Sequence, residues 1–332
     1  MNNLVIFYIG LMEENSTCKA IASLLMTIFT HSSTVRQAQQ RIEPWIKKTP
    51  ILSSTDVNQK YGTTLFKAEM FQYSKAFKLR GCLNKILSLQ EEGAGPARYV
   101  TYSTGNHGIA LSWCARRFSI HGRIYMPINT SQHKQDQCRA LGGEVIITGT
   151  RQEAEERAYQ DGCNGYHFIP PSADEAIIAG AGTLLLESMD EAGGIHAVFA
   201  ACGGGGLLSG CVLARQEHRW DVELIGAEPT IADDAHRSFK SGTLFRFEQS
   251  PATVADGLRA LGLSSMTFGY IRQLDDMILA SEEEIVWATG YLQQSLRVEC
   301  EPSAAVAFCA AIRWHQINPG KVALVLLSGG NC

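Results

Sequence analysis

The chain has 332 residues, 45% hydrophobic and 19% charged, enough to bury a large core. A net charge of -4 and a pI near 6.2 leave no basic footprint for nucleic acid or for a membrane surface. The ten cysteines form no CxxC pair, which excludes a disulfide scaffold or a grouped zinc site.

Residues 1–32 read as an N-terminal extension. The apolar run from Leu4 to Met12 has no lysine or arginine ahead of it, Glu13 and Glu14 follow it, and no small-residue cleavage site is clear. A signal peptide is therefore not expected. The stretch from Ala20 to Phe29 is too short to span a bilayer, and Met26 is an alternative start. Ser33 is placed to cap a helix through Val35, Ala38 and Ile42. "TTLFKAEM" alternates like a short strand, and a helix is expected from near Phe77.

Three strand–helix units follow. "YVTYS" precedes "GNHGIALSWCARRF", "HGRIYMP" precedes a helix through Lys134 to Leu141, and "EVIITG" precedes a helix from Gln152 to Asp161. A second set holds "AVFAAC" before a glycine run and helix, then "VELIGAEP", and finally "KVALVLLSGGN". Short apolar strands alternating with helices specify parallel βαβ sheets covered on both faces. The expected fold is α/β with two open lobes. Residues 33–98 and 171–332 would form the large lobe and 99–170 the small one, with the ligand in the cleft between them. Cys114, Cys202, Cys211 and Cys309 stand in apolar runs, as small buried hydrophobes would, and a reducing cytoplasm is the expected compartment.

Several stretches could carry chemistry. Lys78 in "SKAFKLRG" has aromatic and apolar neighbours, and desolvation would favour the neutral amine that forms a Schiff base. Taken alone it reads as an ordinary surface lysine, and Lys67, Lys75 and Lys85 compete with it. "STGNHG", from Ser103 to Gly108, sits at a strand-to-helix turn whose free N–H groups can hold a carboxylate or phosphate, or whose hydroxyls simply cap the helix. "CGGGGLLSG" follows a strand and opens a helix. It suits a phosphate cup better than a plain flexible loop, and it is neither Walker A nor GxGxxG. In "GAEPTIADDAH", Glu228, Asp233 and Asp234 could hold Mg²⁺ or Ca²⁺, although local chemistry favours an acidic helix start. Ser328 lies at the carboxyl end of the last apolar strand.

The ordered set "KAEMFQYSKAFKLRG", "STGNHG", "GAGT", "CGGGGLLSG", "AEP", "VADGL", "EPSAAV" and "LSGGN" resembles the serine/threonine dehydratase and serine racemase branch of the fold-type-II, tryptophan-synthase-β-like pyridoxal-phosphate (PLP) enzymes. The resemblance runs from about Ile42 to Asn331. It implies that Lys78 is the Schiff-base lysine with Phe77 beside the cofactor ring. It implies further that Asn106 bonds the 3′ oxygen, that Gly203, Gly204, Gly205, Gly206 and Leu207 hold the phosphate, and that Ser328 faces the pyridine nitrogen. Ser103, Asn106 and His107 match the loop that holds the substrate carboxylate, and Arg151 aligns loosely with a pocket arginine. Glu228, Ala232 through its carbonyl, and Asp234 match a metal site of some relatives, which reverses the local reading of that segment.

The implied activity is an ammonia-lyase that turns a small 3-hydroxy-amino acid into a 2-oxo acid. The substrate would be serine- or threonine-like, or of the 3-hydroxyaspartate or hydroxyectoine-derived type. A homodimer is implied, and no regulatory amino-acid-binding domain is expected after Asn331. Two departures matter. Ala76 replaces a serine found in many relatives, and Thr104 stands where racemases place a serine acid/base. Threonine keeps the hydroxyl but has a stiffer χ1. Elimination is thereby favoured over serine racemisation, the alternative activity. His107 and "KLRG" point away from β-replacement, and an intact Lys78 with its glycine run points away from a non-catalytic binder.

Overall fold

The computed structural model describes residues 34–93 and 98–331. The N-terminal extension and the Ser33 cap lie outside the described residues. Helix α1 (Val35–Ile42) buries Val35, Ala38 and Ile42, spaced three and four apart on one face. Strand β1 (Ile51–Ser53) and helix α2 (Thr55–Tyr61) lead to β2 (Thr64–Ala68) and α3 (Lys78–Glu91).

The middle of the chain repeats strand and helix. It runs β3 (Arg98–Tyr102), α4 (Asn106–Phe118), β4 (His121–Pro127), α5 (Gln132–Ala140), β5 (Glu144–Thr148), α6 (Arg151–Cys163) and β6 (His167–Phe168). Then come α7 (Glu175–Glu191), β7 (Ala197–Ala201), α8 (Gly206–His218), β8 (Glu223–Pro229) and α9 (Asp234–Ser241). The chain continues through α10 (Ser265–Ile271), β9 (Asp276–Ala280), α11 (Glu282–Leu296), α12 (Pro302–Ile317) and β10 (Ala323–Leu327).

The strands form two sheets. One has the order β1-β2-β10-β7-β8-β9 and is parallel except for the β1–β2 pair; the other, β5-β4-β3-β6, is wholly parallel. Every residue of β7 and β10 is buried, as continuous apolar strands between two helical layers require. Cys114, Cys202, Cys211 and Cys309 are buried too. The sequence pattern missed β9, whose "DMILA" begins on an acid, and α7, whose residues are apolar on nearly every side.

The "GAGT" stretch has a packing role. A Cβ on Gly180 would sit 2.6 Å from the Arg80 carbonyl of α3, and one on Gly182 would sit 2.6 Å from the Gly210 carbonyl of α8. Helix α7 thus touches α3 and α8 backbone to backbone, and holds the first residues of both at the same end of the molecule.

Candidate active site

β2 and β10 run side by side in parallel, and the segments that follow them are tied together. Phe77 N donates to the Ser328 carbonyl (2.9 Å), Gly330 N donates to the Lys75 carbonyl (2.9 Å), and Ala76 bridges Gly329. Ser328 and Lys78 are therefore neighbours despite their distance in sequence.

The four competing lysines separate at once. Lys67 is fully buried against Glu187 (2.8 Å), Lys75 pairs with Glu299 (2.6 Å), and Lys85 pairs with Asp174 (2.8 Å). Lys78 alone of the four has no carboxylate partner among the described residues; its Nζ donates to the Pro171 carbonyl at 2.7 Å. Burial, reinforced by repulsion from the Arg151 guanidinium, lowers its pKa to about 8.

Beyond β3 the chain turns sharply into α4. Ser103 Oγ accepts from Gly105 N and Gly108 N, both at 3.0 Å, so its hydroxyl caps the helix. Gly105 has φ +151°, and a Cβ there would run into Lys134 Cδ. His107 Nε2 donates to the Ile169 carbonyl (3.0 Å), since a carbonyl only accepts. Its Nδ1 is then a buried acceptor without a partner among the described residues. Burial, then the Lys78 charge, lowers the His107 pKa to about 3, so the ring is neutral.

One cavity collects these groups. Phe77, Lys78, Thr104, Asn106, Arg151 and Ser328 line it, and Ser103, His107 and Gly204 contribute further wall. Of the glycine run only Gly204 reaches it. Gly205, in the left-handed region at φ +80°, is the N-cap of α8; a Cβ there would lie 2.9 Å from Leu263, and one on Gly204 would lie 2.7 Å from Ser172 Oγ. The Leu207 side chain is buried in the core, so only its backbone could serve a phosphate. The Arg151 guanidinium lies over the Tyr102 ring, 5.8 Å from its centre, and also lines a larger cavity of about 400 Å³ that shares Thr104.

Sequence reasoning gave no role to Glu301, whose side chain also lines the site cavity. The available signal was a carboxylate heading the apolar run "EPSAAVAF", since an acid buried there must find a partner.

The acidic segment after β8 lies elsewhere. Glu228 is fully buried and accepts from Ala235 N (3.3 Å) and His236 N (2.7 Å), which makes it a cap for α9. Both carboxylate oxygens of Asp234 are buried and lack a hydrogen-bond partner among the described residues. Burial raises the pKa of both acids, that of Asp234 to about 7. Ala232 is buried beside them. Among the described residues no group of three or more His, Cys, Asp or Glu side chains is arranged to hold a metal ion. No helix among them is long and apolar enough to cross a membrane.

The family described as pyridoxal-phosphate-dependent enzyme matches residues 42–329. The chain belongs to that family. Among the relatives of this PLP enzyme, a serine racemase of Schizosaccharomyces pombe is 33% identical, over 90% of this chain and 93% of its own. A β-hydroxyaspartate dehydratase of Paracoccus denitrificans is 36% identical over 89% and 94%. In structure the PLP enzyme is similar to a threonine deaminase of T.th., with a TM-score of 0.84 and 35% identity over 90% of this chain and 97% of that one.

Proposed function

We propose that this PLP-dependent enzyme is an ammonia-lyase that converts a small 3-hydroxy-amino acid to a 2-oxo acid and ammonia. The observation that carries the reading is Lys78, an amine without an acid partner among the described residues, at the head of a cavity shared with Asn106 and Ser328. The names of the Paracoccus dehydratase and the threonine deaminase support elimination. They leave two substrate types, serine- or threonine-like and 3-hydroxyaspartate-like.

The residues present fit the cofactor. Gly204 lines the cavity where a Cβ would fill the space beside Ser172, which lines it too, and the Lys78 amine is held by a single carbonyl. When bound, PLP supplies an aldehyde for an amine and an electron sink for charge developing at the substrate Cα. The backbone N–H groups from Gly203 to Leu207, at the positive end of α8, would hold its phosphate. Ser328 would be a neutral neighbour for the ring nitrogen, and Phe77 would support the ring face. Asn106 would donate to the ring oxygen.

Lys78, with its pKa near 8, is partly neutral at physiological pH and serves as the base at Cα. The turn of Ser103, Asn106 and His107 would hold the substrate carboxylate, and Arg151 would face the substrate. The β-hydroxyl leaves as water, and the resulting enamine tautomerises and hydrolyses to the 2-oxo acid and ammonia. Thr104 keeps a hydroxyl in the cavity, so serine racemisation is the second reading, supported by the name of the fission-yeast relative.

A divalent cation, Mg²⁺ or Ca²⁺, is proposed at Glu228, the Ala232 carbonyl and Asp234. The unpartnered oxygens of Asp234 fit it, and Glu228 keeps lone pairs beyond its two capping bonds. The division into a large lobe (33–98 and 171–332) and a small lobe (99–170), the homodimer and the cytoplasmic setting are proposed on the family resemblance.

Purified enzyme supplied with PLP should be yellow and should release ammonia from L-serine, L-threonine or L-threo-3-hydroxyaspartate. Lys78→Ala should lose both properties, and a yellow, active variant would overturn the assignment. Following D-serine beside pyruvate separates the second reading.

A further inference from the structure

Beside the cavity lies a chain of polar contacts that the proposed chemistry does not use. Glu301, 2% exposed, accepts a hydrogen bond from Asn106 Nδ2 at 2.7 Å through Oε1. Its Oε2 has no hydrogen-bond partner among the described residues and lies 3.8 Å from Lys134 Nζ. Lys134, on α5, is 4% exposed and donates to Asp256 Oδ2 at 2.7 Å. Four segments thus meet here: the start of α12, the first residue of α4, α5, and the short 3-10 turn Asp256–Leu258.

The orientation of Asn106 is fixed from both ends. Asn331 Nδ2 donates to the Ser74 carbonyl (3.0 Å) and to Asn106 Oδ1 (2.9 Å). A backbone carbonyl can only accept, so the Asn331 amide has one sense, and Asn106 must turn its oxygen toward it. An ionised Glu301 can also only accept, so the nitrogen of Asn106 must face Glu301. One of the two Asn106 N–H groups is then used, and the other remains for the cavity that Asn106 lines.

We infer that Glu301 is a positioning residue, which locks the Asn106 amide with its remaining N–H toward the cofactor oxygen, and that Lys134 and Asp256 govern the strength of that lock. The inference rests on the proposed placement of PLP beside Asn106. A protonated Glu301 could donate as well as accept, and the lock would then lose its single sense. Burial raises the Glu301 pKa to about 7, Lys134 draws it down, and Asp256 pushes it up. The other ionisable groups on the cavity are Lys78, His107 and Arg151. With Lys134 bound more closely to Asp256, Glu301 receives only part of its charge. The lock therefore closes as pH rises through about 7.

The test uses holoenzyme and the visible absorption band of bound PLP, recorded from pH 6 to 8.5 without substrate. Wild type should show a band transition with its midpoint near pH 7. Glu301→Gln should abolish that transition and lower kcat about tenfold, the worth of one hydrogen bond. Lys134→Met should move the midpoint up by about one pH unit, because a stabilising cation is gone. Glu301→Ala should weaken the visible band at every pH; if that variant does not fold, Glu301→Gln and Lys134→Met carry the test. A Glu301→Gln enzyme with the wild-type transition and unchanged kcat would overturn the inference and leave the lyase reading standing. A wild-type chain that shows no PLP band in the presence of excess cofactor would overturn both.

Discussion

Within "KAEMFQYSKAFKLRGCLNK" four lysines share one stretch of sequence, and no local feature ranks them. Partners do. Lys67, Lys75 and Lys85 each meet a carboxylate across the fold, while Lys78, among the described residues, meets a carbonyl and the repulsion of Arg151 and no carboxylate. Those partners are remote in sequence, so the distinction was legible only through the ordered motifs around Lys78. The sign of the effect is testable. Because burial and Arg151 lower the Lys78 pKa to about 8, the reactive neutral amine accumulates as pH rises through that value. The rate at which cofactor-free enzyme captures PLP should climb through about pH 8. In Arg151→Gln the climb should come at higher pH, because the repulsive cation is removed. Rapid-mixing absorbance measurements give both curves. Glu301 was the opposite case: its stretch was conspicuous, yet nothing in the sequence said that Asn106 would lie against it.

Helix α7 shows the same limit among elements. Its four-residue "GAGT" belonged to the ordered set without a chemical role, and the structure supplies a mechanical one. Gly180 and Gly182 let α7 approach α3 and α8 until backbones touch, so the helix that begins with Lys78 and the helix that begins with the glycine run share one brace. A period of 3.6 cannot reveal this, because α7 is buried on nearly all sides and has no polar face to set the phase. Gly182→Ala should cost about 2 kcal/mol of stability through overpacking. Gly193→Ala is the control, since nothing lies within 4 Å of a Cβ there. Thermal unfolding of the two variants should separate them by several degrees, and equal melting temperatures would count against the brace.

Over the whole molecule, the alternation of strands and helices was readable and the order of strands was not. Apolar strands followed by helices announce parallel sheets, but nothing local says that β10 inserts between β2 and β7. The proposed cation belongs to this scale, because it would join the end of β8 to α9 and act on stability away from the chemistry. Adding Mg²⁺ or Ca²⁺ to chelator-treated enzyme should stabilise it by RT ln(1 + [L]/Kd), about 2.7 kcal/mol at a hundredfold excess over Kd, and raise its melting temperature accordingly. Asp234→Asn should remove that response. An unchanged melting temperature in the native enzyme, with and without chelator, would leave Glu228 as a plain helix cap.

The place of β10 also has a consequence for synthesis. Phe77 is tied to Ser328 and Lys75 to Gly330, so the lysine-bearing turn is finished by residues translated some 250 positions later. A nascent chain on the ribosome can fold the sheet β5-β4-β3-β6 from local units, yet it has no complete place for PLP until β10 has emerged. Loop closure over so many residues is slow compared with helix formation. Cofactor capture is therefore set to follow the emergence of β10 and of the Ser328–Gly330 turn, and a product terminated ahead of β10 would be colourless whatever the state of its Lys78.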